Sequence, residues 1–305
     1  MTFTISVITC THNPRRNYLD KVLAALKSQT LPVEQWELLL IDNASEQLLA
    51  SEIDLSWHPH ARHVREDKLG LTPARLRGIQ EAQAEVLVFV DDDNVLDSDY
   101  LEVTLQISKE WPMIGAWGGQ IRGEFEKTPP DWAKPYLYQL CIREFEQDKW
   151  SNLLHQHETT PCGAGICVQQ IVAKKYAELV SNDPKRLELD RKGKLLTSSG
   201  DTDLAFTACD IGLGTGQFTS LKLTHLIPAS RLDIEYLIRL HEGLAYSSTV
   251  LNYLRGKVPE NSSWLRVKLS EWYRSCWMSS IDSRFYKARN RGIALANQLI
   301  LNSKE

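Results

Sequence analysis

The chain has 305 residues, a formal net charge of −4 and six cysteines, so it is long enough to bury the core of one large domain or two ordinary ones. The negative charge makes a phosphate backbone an unexpected partner, and we predict no nucleic-acid binding. Six cysteines are too few for a disulfide scaffold at this length. The sequence lacks a charged signal-peptide region and an apolar run near the roughly 20 residues of a membrane span, so we expect a cytoplasmic protein.

The N-terminal part is predicted to form a βαβ unit. Residues 3–9 alternate between apolar and polar side chains and predict a strand, whereas residues 19–26 carry leucine and valine at helical spacing. Residues 36–41 (WELLLI) predict a buried strand. Polar residues directly follow each of the two predicted strands. A strand, a helix and a second strand are typical of an α/β fold with a parallel sheet.

A second buried strand carries the most distinctive feature of the chain. In residues 85–94 (EVLVFVDDDN) a β-branched and aromatic run ends in Asp91, Asp92 and Asp93. Because side chains alternate along an extended strand, we predict that Asp91 and Asp93 point the same way and converge on one cation. Their hard oxygen ligands favour Mg²⁺ or Mn²⁺. The alternative is a solvated turn in which Asp93 or Asn94 caps a helix.

Polar residues follow several predicted strands at the point where each strand ends. Thr9, Asp42 and the three aspartates all occupy such positions. In open α/β sheets, ligands bind beyond the carboxyl ends of the strands. This convergence predicts a functional site at that edge of the sheet. Further along, residues 113–121 predict another strand and residues 124–135 a proline-rich connection.

An ordered set of short segments resembles one enzyme family. The segments are VITCTHN, LLLIDNAS, KLGLTPARLRGI, VLVFVDDDN, WGGQI, PCGAG, SSGDTDLAF and LTHLIP. Together they are similar to the inverting nucleotide-sugar glycosyltransferases of family 2, which have the GT-A fold, and the resemblance covers roughly residues 3–228. It implies a Rossmann-like, mostly parallel central sheet with flanking helices over residues 1–230. For residues 231–305 we expect a helical C-terminal extension.

The resemblance implies contacts to a UDP-sugar at the ends of the first two strands. Thr9 and Thr11 match positions that contact uracil and ribose, and Asp42 matches a carboxylate that accepts a proton from the base or a ribose hydroxyl. Ordinary turn chemistry is the alternative for both threonines. For Asp42 the alternative is an Asx-turn before Ser45.

The segment before the central strand is similar to a family segment that approaches the nucleotide. Gly70 would let the backbone come close, and Lys68 or Arg75 would meet the base or the diphosphate. A salt bridge on the helix surface is the other interpretation of Arg75. Residues 163–165 match a segment that leaves room for the sugar ring, or they form a tight turn.

The resemblance also implies the metal ligands. Asp93 would be the principal ligand of Mg²⁺ or Mn²⁺, with Asp91 and Asp92 on the ribose or on metal-bound water and Asp91 as a further ligand. His225, in LTHLIP, matches a position where similar enzymes add a metal or diphosphate ligand. A structural histidine is the alternative there.

The general base is expected at the start of a predicted helix. Similar enzymes read Glu-Asp-x-Asp-Leu with the first aspartate as the base, and Asp201 occupies that position in this chain. Gly200 stands where the family often has glutamate. Because Asp201 and Asp203 lie about 200° apart on a helix, we expect one of them to be structural. Capping of the helix by both is the alternative.

The predicted reaction moves a hexose from a UDP-sugar to a hydroxyl of a glycan or lipid-linked acceptor, with inversion, in polysaccharide biosynthesis. A nucleotidyltransferase or phosphohydrolase, or a non-catalytic sugar-nucleotide-binding module, are the alternatives. The basic stretch of residues 264–278 has an amphipathic pattern. It predicts either peripheral contact with the inner face of a membrane or packing on the protein itself or on the second copy of a homodimer.

Overall fold

The computed structural model describes residues 3–192, 195–257 and 278–302. Its strands are β1 (Ile5–Thr11), β2 (Trp36–Asn43), β3 (Ala61–Glu66), β4 (Val86–Asp91), β5 (Asn94–Leu96), β6 (Ile114–Phe125), β7 (Lys149–Ser151), β8 (Cys167–Gln169), β9 (Asp190–Lys192), β10 (Leu195–Ser198) and β11 (Gly214–Ile227). Its α-helices are α1 (Arg16–Lys27), α2 (Leu71–Glu81), α3 (Tyr100–Glu110), α4 (Gln170–Asn182), α5 (Gly200–Asp210), α6 (Ile234–Leu254) and α7 (Ser280–Asn302).

The described strands form one large mixed sheet and one small hairpin. The large sheet has the order β3-β2-β1-β4-β8-β6-β11-β5, with β7 paired to β11, and β9 and β10 form the hairpin. Neighbouring strands from β3 to β4 are parallel, β8 runs antiparallel to both β4 and β6, and β11 is parallel to β6. The carboxyl ends of β1, β2, β4, β6 and β11 therefore meet at one edge. The predicted α/β fold with a mostly parallel sheet is confirmed.

The central strands form because their side chains are apolar on both faces. Every residue of β1 and β2 is buried, as are the first five residues of β4. Leu19, Val22 and Leu26 of α1 are fully buried, as the helical spacing predicted. Burial of such side chains stabilises the fold by about 1.5–3 kcal/mol each.

Two strand boundaries differ from the sequence predictions. β1 continues to Thr11 because it pairs with β2 as far as Thr11 and Asp42. β6 continues to Phe125, beyond the predicted end, because β11 pairs with it up to Ile227. The predicted connection after β6 contains a 3₁₀ segment at Asp131–Leu140. Long-range pairing therefore extends both strands beyond their local hydrophobic pattern.

The chain divides into two compact units. One comprises residues 1–127, 140–184 and 200–228, and the other comprises residues 128–139, 185–199 and 229–305. In the second unit α6 packs closely on α7, since a Cβ on Gly292 would lie 2.2 Å from the carbonyl oxygen of Glu242. The helical C-terminal extension is thus present. Among the described residues no helix is long and apolar enough to cross a bilayer, and the amphipathic stretch at 264–278 lies outside them except for Met278.

Candidate active site

A carboxylate and an imidazole face each other at the carboxyl edge of the sheet. Asp93 Oδ2 lies 3.3 Å from His225 Nε2, and both side chains are buried. The backbone holds them there, because the Leu226 amide donates to the Asp93 carbonyl at 2.8 Å where β5 pairs with β11. His225 Nδ1 lies 3.0 Å from the carbonyl oxygen of Leu140 and donates to it. That bond leaves Nε2 as the ring nitrogen that faces Asp93.

The chain turns within the aspartate triplet. β4 ends at Asp91 and β5 begins at Asn94, so strand alternation does not extend to Asp93 and the geometric premise for pairing it with Asp91 was wrong. Asn94 organises the turn, since its amide nitrogen donates to Asp93 Oδ1 at 3.1 Å and its amide oxygen accepts from the Asp91 amide at 3.3 Å. Asp91 and Asp92 are half-buried. The role of Asp91 as a metal ligand stays a prediction.

The pair of Asp93 and His225 suits a divalent metal ion. In the part of the chain that is described, no group of three or more histidine, cysteine, aspartate and glutamate side chains could hold such an ion by itself. When two ligand atoms each lie about 2.1 Å from an octahedral ion and occupy neighbouring positions, they are about 3 Å apart. This is close to the 3.3 Å between Asp93 Oδ2 and His225 Nε2. Substrate oxygens and water commonly complete such shells. One oxygen and one nitrogen donor suit Mn²⁺ better than Mg²⁺, which prefers oxygen ligands.

Thr9 and Thr11 have different environments at the end of β1. Thr11 Oγ1 donates to Asp92 Oδ2, which ties the end of β1 to the aspartate turn. Thr9 is fully buried within the sheet, and its hydroxyl has no hydrogen-bond partner among the described residues. Thr11 therefore lies at the strand end, where the sequence had placed Thr9.

Asp42 is held by its own chain and by a cation. Its Oδ1 accepts from the Ser45 amide at 3.0 Å, as in the Asx-turn alternative, and its Oδ2 accepts from Arg65 Nη1 at 2.8 Å and the Leu49 amide at 3.2 Å. Burial opposes ionisation of Asp42, but these hydrogen bonds outweigh it and lower the pKa of the carboxyl below its ordinary value. Asp42 is therefore an ionised carboxylate with a partner cation that the sequence analysis missed.

The side chain of Asn43 shapes the loop that carries Lys68 and Gly70. Its amide oxygen accepts from the Gly70 amide at 2.8 Å, and its amide nitrogen donates to the carbonyl oxygens of Lys68 at 2.9 Å and Glu66 at 3.2 Å. Gly70 has a φ of +142°, which favours glycine. Lys68 is exposed. Asn43 thus fixes the backbone of the segment that the family resemblance assigned to the nucleotide.

Asp201 and Arg75 both approach the loop at Gly163. The Gly163 amide donates to Asp201 Oδ2 at 2.6 Å, and a Cβ on Gly163 would lie 2.6 Å from Arg75 Nη2. Both side chains are buried. The absence of a side chain at Gly163 lets the carboxylate and the guanidinium approach one loop.

Arg75 also acts on the end of β1. Burial raises the pKa of the Cys10 thiol to about 12, the charge of Arg75 opposes that rise, and the charges of Asp91 and Asp92 add to it. The charge of Arg75 therefore acts at the end of β1, and its guanidinium also lies beside the Gly163 loop.

The two aspartates in the first turn of α5 differ in depth and surroundings. Asp201 is 6% exposed in the first turn, and its Oδ1 accepts from the Thr202 amide at 2.8 Å. Asp203 is fully buried, and its backbone carbonyl accepts from the Thr207 hydroxyl at 2.8 Å. Asp201 is thus the carboxylate for which the structure gives a hydrogen bond to the Gly163 loop.

One short segment, which carries Leu140 and Arg143, contacts His225 and the chain before Gly163. The carbonyl of Leu140 accepts from His225 Nδ1. Arg143 Nη1 also donates to the carbonyl oxygen of Thr160 at 2.8 Å. Sequence analysis did not identify this segment, because nothing in its local pattern marks the Leu140 carbonyl as a partner of His225.

Comparison with known proteins identifies the family. The profile described as Glycosyl transferase family 2 matches residues 6–168, more than half of the chain. The chain belongs to glycosyltransferase family 2. The match includes the β1, β2 and β4 strand ends and the Gly163 loop, whereas Asp201 and His225 lie beyond it.

Two curated relatives match shorter stretches of this family 2 chain. Glycosyltransferase AglE of Haloferax volcanii is 29% identical over 101 residues, 32% of this chain and 33% of that protein. TuaG of Bacillus subtilis, a glycosyltransferase assigned to teichuronic acid biosynthesis, is 26% identical over 131 residues, 42% of this chain and 50% of that protein. The aligned part of the chain thus spans between a third and a half of these relatives.

Solved structures share the fold over nearly the whole chain. Residues 1–349 of S. aureus TarS, in complex with UDP-GlcNAc, match with a TM-score of 0.55 and 14% identity, covering 96% of this chain and 89% of that one. The complex of the same TarS fragment with UDP gives a TM-score of 0.52. At this identity the likeness shows the GT-A fold alone.

Proposed function

We propose that this chain transfers a hexosyl group from a UDP-sugar to a hydroxyl of a glycan or glycolipid acceptor, with inversion, in polysaccharide biosynthesis. The observation that carries the proposal is the buried pair of Asp93 and His225, whose side chains face each other at 3.3 Å at the carboxyl edge of the sheet. The buried carboxylate of Asp201, which accepts a hydrogen bond from the Gly163 amide, supports it. Family membership and the fold shared with a UDP-GlcNAc-bound protein support the choice of donor.

Asp201 is the proposed general base. Its carboxylate accepts the proton of the acceptor hydroxyl while the hydroxyl oxygen attacks the anomeric carbon of the donor and the bond to UDP breaks. The Gly163 amide orients Asp201 Oδ2 by a 2.6 Å hydrogen bond. A single displacement on the face opposite the departing diphosphate inverts the configuration of the sugar.

Asp93 and His225 would hold the divalent metal ion, with Mn²⁺ the better match to their donor atoms. When bound, such an ion neutralises negative charge on the departing diphosphate. Arg75 supplies a fixed positive charge close to the same edge, since it acts on Cys10 together with Asp91 and Asp92. A guanidinium suits a diphosphate because it donates several hydrogen bonds in one plane.

The ends of β1 and β2 form the proposed nucleotide site. The fully buried hydroxyl of Thr9 has no described partner, and Thr11 contacts Asp92. Asn43 fixes the Gly70 backbone, where the absence of a side chain allows close approach of a ligand. We propose that the base and the ribose of the nucleotide bind among these groups.

A panel of nucleotide-sugars tests the proposal. The melting temperature is measured with UDP-, GDP- and TDP-sugars, each with and without Mn²⁺, because a ligand of the native state raises it according to its affinity. A UDP-sugar with Mn²⁺ should give the largest rise. Products are then identified by NMR, and a new glycosidic bond of inverted configuration is expected. Release of free sugar alone would indicate a hydrolase, and binding without turnover a non-catalytic module.

A further inference from the structure

A cavity of about 500 Å³ lies between α6 and α7, the two long helices of the second unit. Its walls are mainly apolar, and its volume falls in the range of about 300–1,000 Å³ that small-molecule sites occupy. Two carboxamides of α7 complete a lining that otherwise consists of Arg239, Glu242, Gly243 and Tyr246 of α6 and Leu295 and Leu299 of α7. None of these residues belongs to the candidate active site. We call this the α6–α7 cavity.

The register of the two helices separates a charged end of the cavity from an apolar end. Two ion pairs join the helices, each between residues 49 positions apart, namely Glu235 with Arg284 and Glu242 with Arg291. The helices are therefore parallel. In the same register Leu299 lies level with position 250, about 16 Å farther along the axis than Arg239 at 1.5 Å of rise per residue.

The helices approach each other closely beside the cavity, and this leaves two leucines on its wall. Ala288, Gly292 and Ala296 of α7 are buried, and a Cβ on Gly292 would lie 2.2 Å from the carbonyl oxygen of Glu242. Leu295 and Leu299 occupy the flank of this buried face and are 47% and 43% exposed. Because small residues already fill the contact between the helices, the surface of these leucines is left for another apolar group.

The cavity has one positive charge that no other described residue compensates. The Glu242 carboxylate accepts from Arg291 Nε at 3.0 Å and from Nη2 at 2.6 Å, so its own charge is balanced. Arg239 lies one turn before Glu242 on the same helix, is exposed, and forms no ion pair within the described part of the chain. A guanidinium binds a phosphate by two parallel hydrogen bonds. The charge and the leucines together suit an anionic group joined to a hydrocarbon.

Two other occupants match the cavity less well. A stable interface with a second copy of the chain would bury roughly 800 Å² on each partner, and two half-exposed leucines supply a small part of that area. A metal cation would meet the positive charge of Arg239, and the carboxylate of Glu242 is already occupied by Arg291. The uncompensated charge therefore favours an anionic ligand.

We propose that the α6–α7 cavity binds one lipid phosphate, with its hydrocarbon along Leu295, Leu299 and the Tyr246 ring and its phosphate on Arg239. Phospholipids with a terminal phosphate and isoprenoid phosphates share this chemistry. The inference goes beyond the proposed function, because binding at this cavity involves neither a donor nor sugar transfer.

Calorimetry of the full chain with dodecyl phosphate, below the concentration at which it forms micelles, tests the site. One molecule should bind per chain. Inorganic phosphate lacks the apolar part and dodecyl maltoside lacks the charge, so each should bind more weakly by about tenfold or more. Arg239→Gln should weaken binding of dodecyl phosphate about tenfold, because it removes a charged hydrogen-bond donor. Leu299→Asn should weaken it about fivefold to tenfold. Circular dichroism checks the fold of both variants.

Two control variants change exposed residues of α7 that do not line the cavity. Lys287→Gln removes a cation, and Leu301→Asn removes a leucine that is 64% exposed. Both should bind dodecyl phosphate as the unaltered protein does. Equal weakening by Lys287→Gln and Arg239→Gln would show general attraction to basic helices and overturn the proposal. Binding that neither Arg239→Gln nor Leu299→Asn weakens would overturn it as well. So would a dimer in light scattering that Leu299→Asn dissociates, because the cavity would then belong to an interface between two copies.

Two lipid preparations distinguish the sources of the phosphate. Flotation with vesicles of phosphatidic acid in phosphatidylcholine tests a bilayer lipid, and calorimetry with farnesyl phosphate tests an isoprenoid phosphate. Flotation that Arg239→Gln abolishes assigns the cavity to the bilayer lipid. Binding of farnesyl phosphate that the same variant weakens, without flotation, assigns it to the isoprenoid phosphate. If neither lipid binds, the proposal is overturned, and the proposed function is unaffected because none of these measurements uses a sugar donor.

Discussion

The backbone amide of Gly163 donates a 2.6 Å hydrogen bond to Oδ2 of Asp201. A Cβ at position 163 would lie 3.2 Å from the same carboxylate oxygen and 2.6 Å from Arg75 Nη2. The second distance is shorter than any ordinary carbon–nitrogen contact. A side chain at position 163 would therefore force the end of the Arg75 side chain away from the loop.

Gly163→Ala should lower kcat by about tenfold to a hundredfold, because Arg75 must move away and the hydrogen bond to Asp201 loosens. Steady-state kinetics with the preferred donor measures the change. Gly212→Ala is the control, since a Cβ there meets nothing within 4 Å. Its φ of +83° predicts a loss of about 1 kcal/mol in stability without a change in kcat. An unchanged kcat for Gly163→Ala would show that transfer does not depend on the close approach of Arg75 and Asp201 to position 163.

Asp93→Ala should abolish manganese-dependent UDP binding and leave the fold intact, because the variant removes the carboxylate that faces His225 Nε2. Calorimetry with UDP, in the presence and absence of Mn²⁺, measures both affinities, and circular dichroism checks the fold. Asp99→Ala, which removes an exposed carboxylate after β5, serves as the control. UDP binding with unchanged metal dependence in Asp93→Ala would mean that the metal ligand lies elsewhere.

Asp42→Asn should lower the free energy of unfolding by about 1–3 kcal/mol at neutral pH, because an amide cannot replace the carboxylate toward Arg65. The pKa of Asp42 is lowered in the folded state, so its stabilising contribution is present above the unfolded-state pKa and is lost as the pH falls through the folded-state pKa. Urea unfolding from pH 7 to pH 3 should show the variant and the unaltered protein converging at the acid end.

The control for Asp42→Asn removes the other carboxylate partner of the same arginine. Asp67 also pairs with Arg65, but its side chain is 89% exposed. Asp67→Asn should therefore change stability by less than about 1 kcal/mol. Equal losses in the two variants would show that burial of the Asp42 pair is unimportant.

His58 should make the fold sensitive to mild acid. Burial, with a smaller contribution from His60, lowers the pKa of His58 to about 4. Because the unfolded chain then binds a proton more readily, stability falls as the pH drops from about 6.5 toward 4, by up to about 3 kcal/mol. Urea unfolding across this range should show a smaller slope for His58→Gln. An unchanged slope in His58→Gln would contradict the assignment.

The sequence predicted those parts of the site that depend on one strand or helix. Apolar runs located β1, β2 and β4 close to their observed bounds, because a buried strand is a local pattern. The family motifs placed Asp201 at the start of a helix, and α5 begins at Gly200. The edge at which the polar strand ends meet follows from parallel pairing.

Contacts between distant segments could not be predicted in this way. The antiparallel β8, inserted between β4 and β6, and the pairing of β5 with β11 bring His225 to Asp93. The hydrophobic pattern of a single segment does not indicate the order of the strands in the sheet. The alternation argument for Asp91 and Asp93 was wrong for a related reason. The Asn94 side chain accepts from the Asp91 amide and donates to Asp93, and these two hydrogen bonds stabilise a turn where the argument assumed an extended strand.

A single substitution tests whether Asp201 removes the proton of the acceptor hydroxyl. Asp201→Asn preserves the size of the side chain and an oxygen that can accept from Gly163, so UDP and Mn²⁺ binding should stay within about twofold by calorimetry. Transfer measured with a competent acceptor should fall by about a thousandfold, because an amide cannot accept the proton. Asp203→Asn, at a fully buried position, should mainly lower stability. Near-normal transfer by Asp201→Asn would contradict the account and make Asp203 the next candidate for the base.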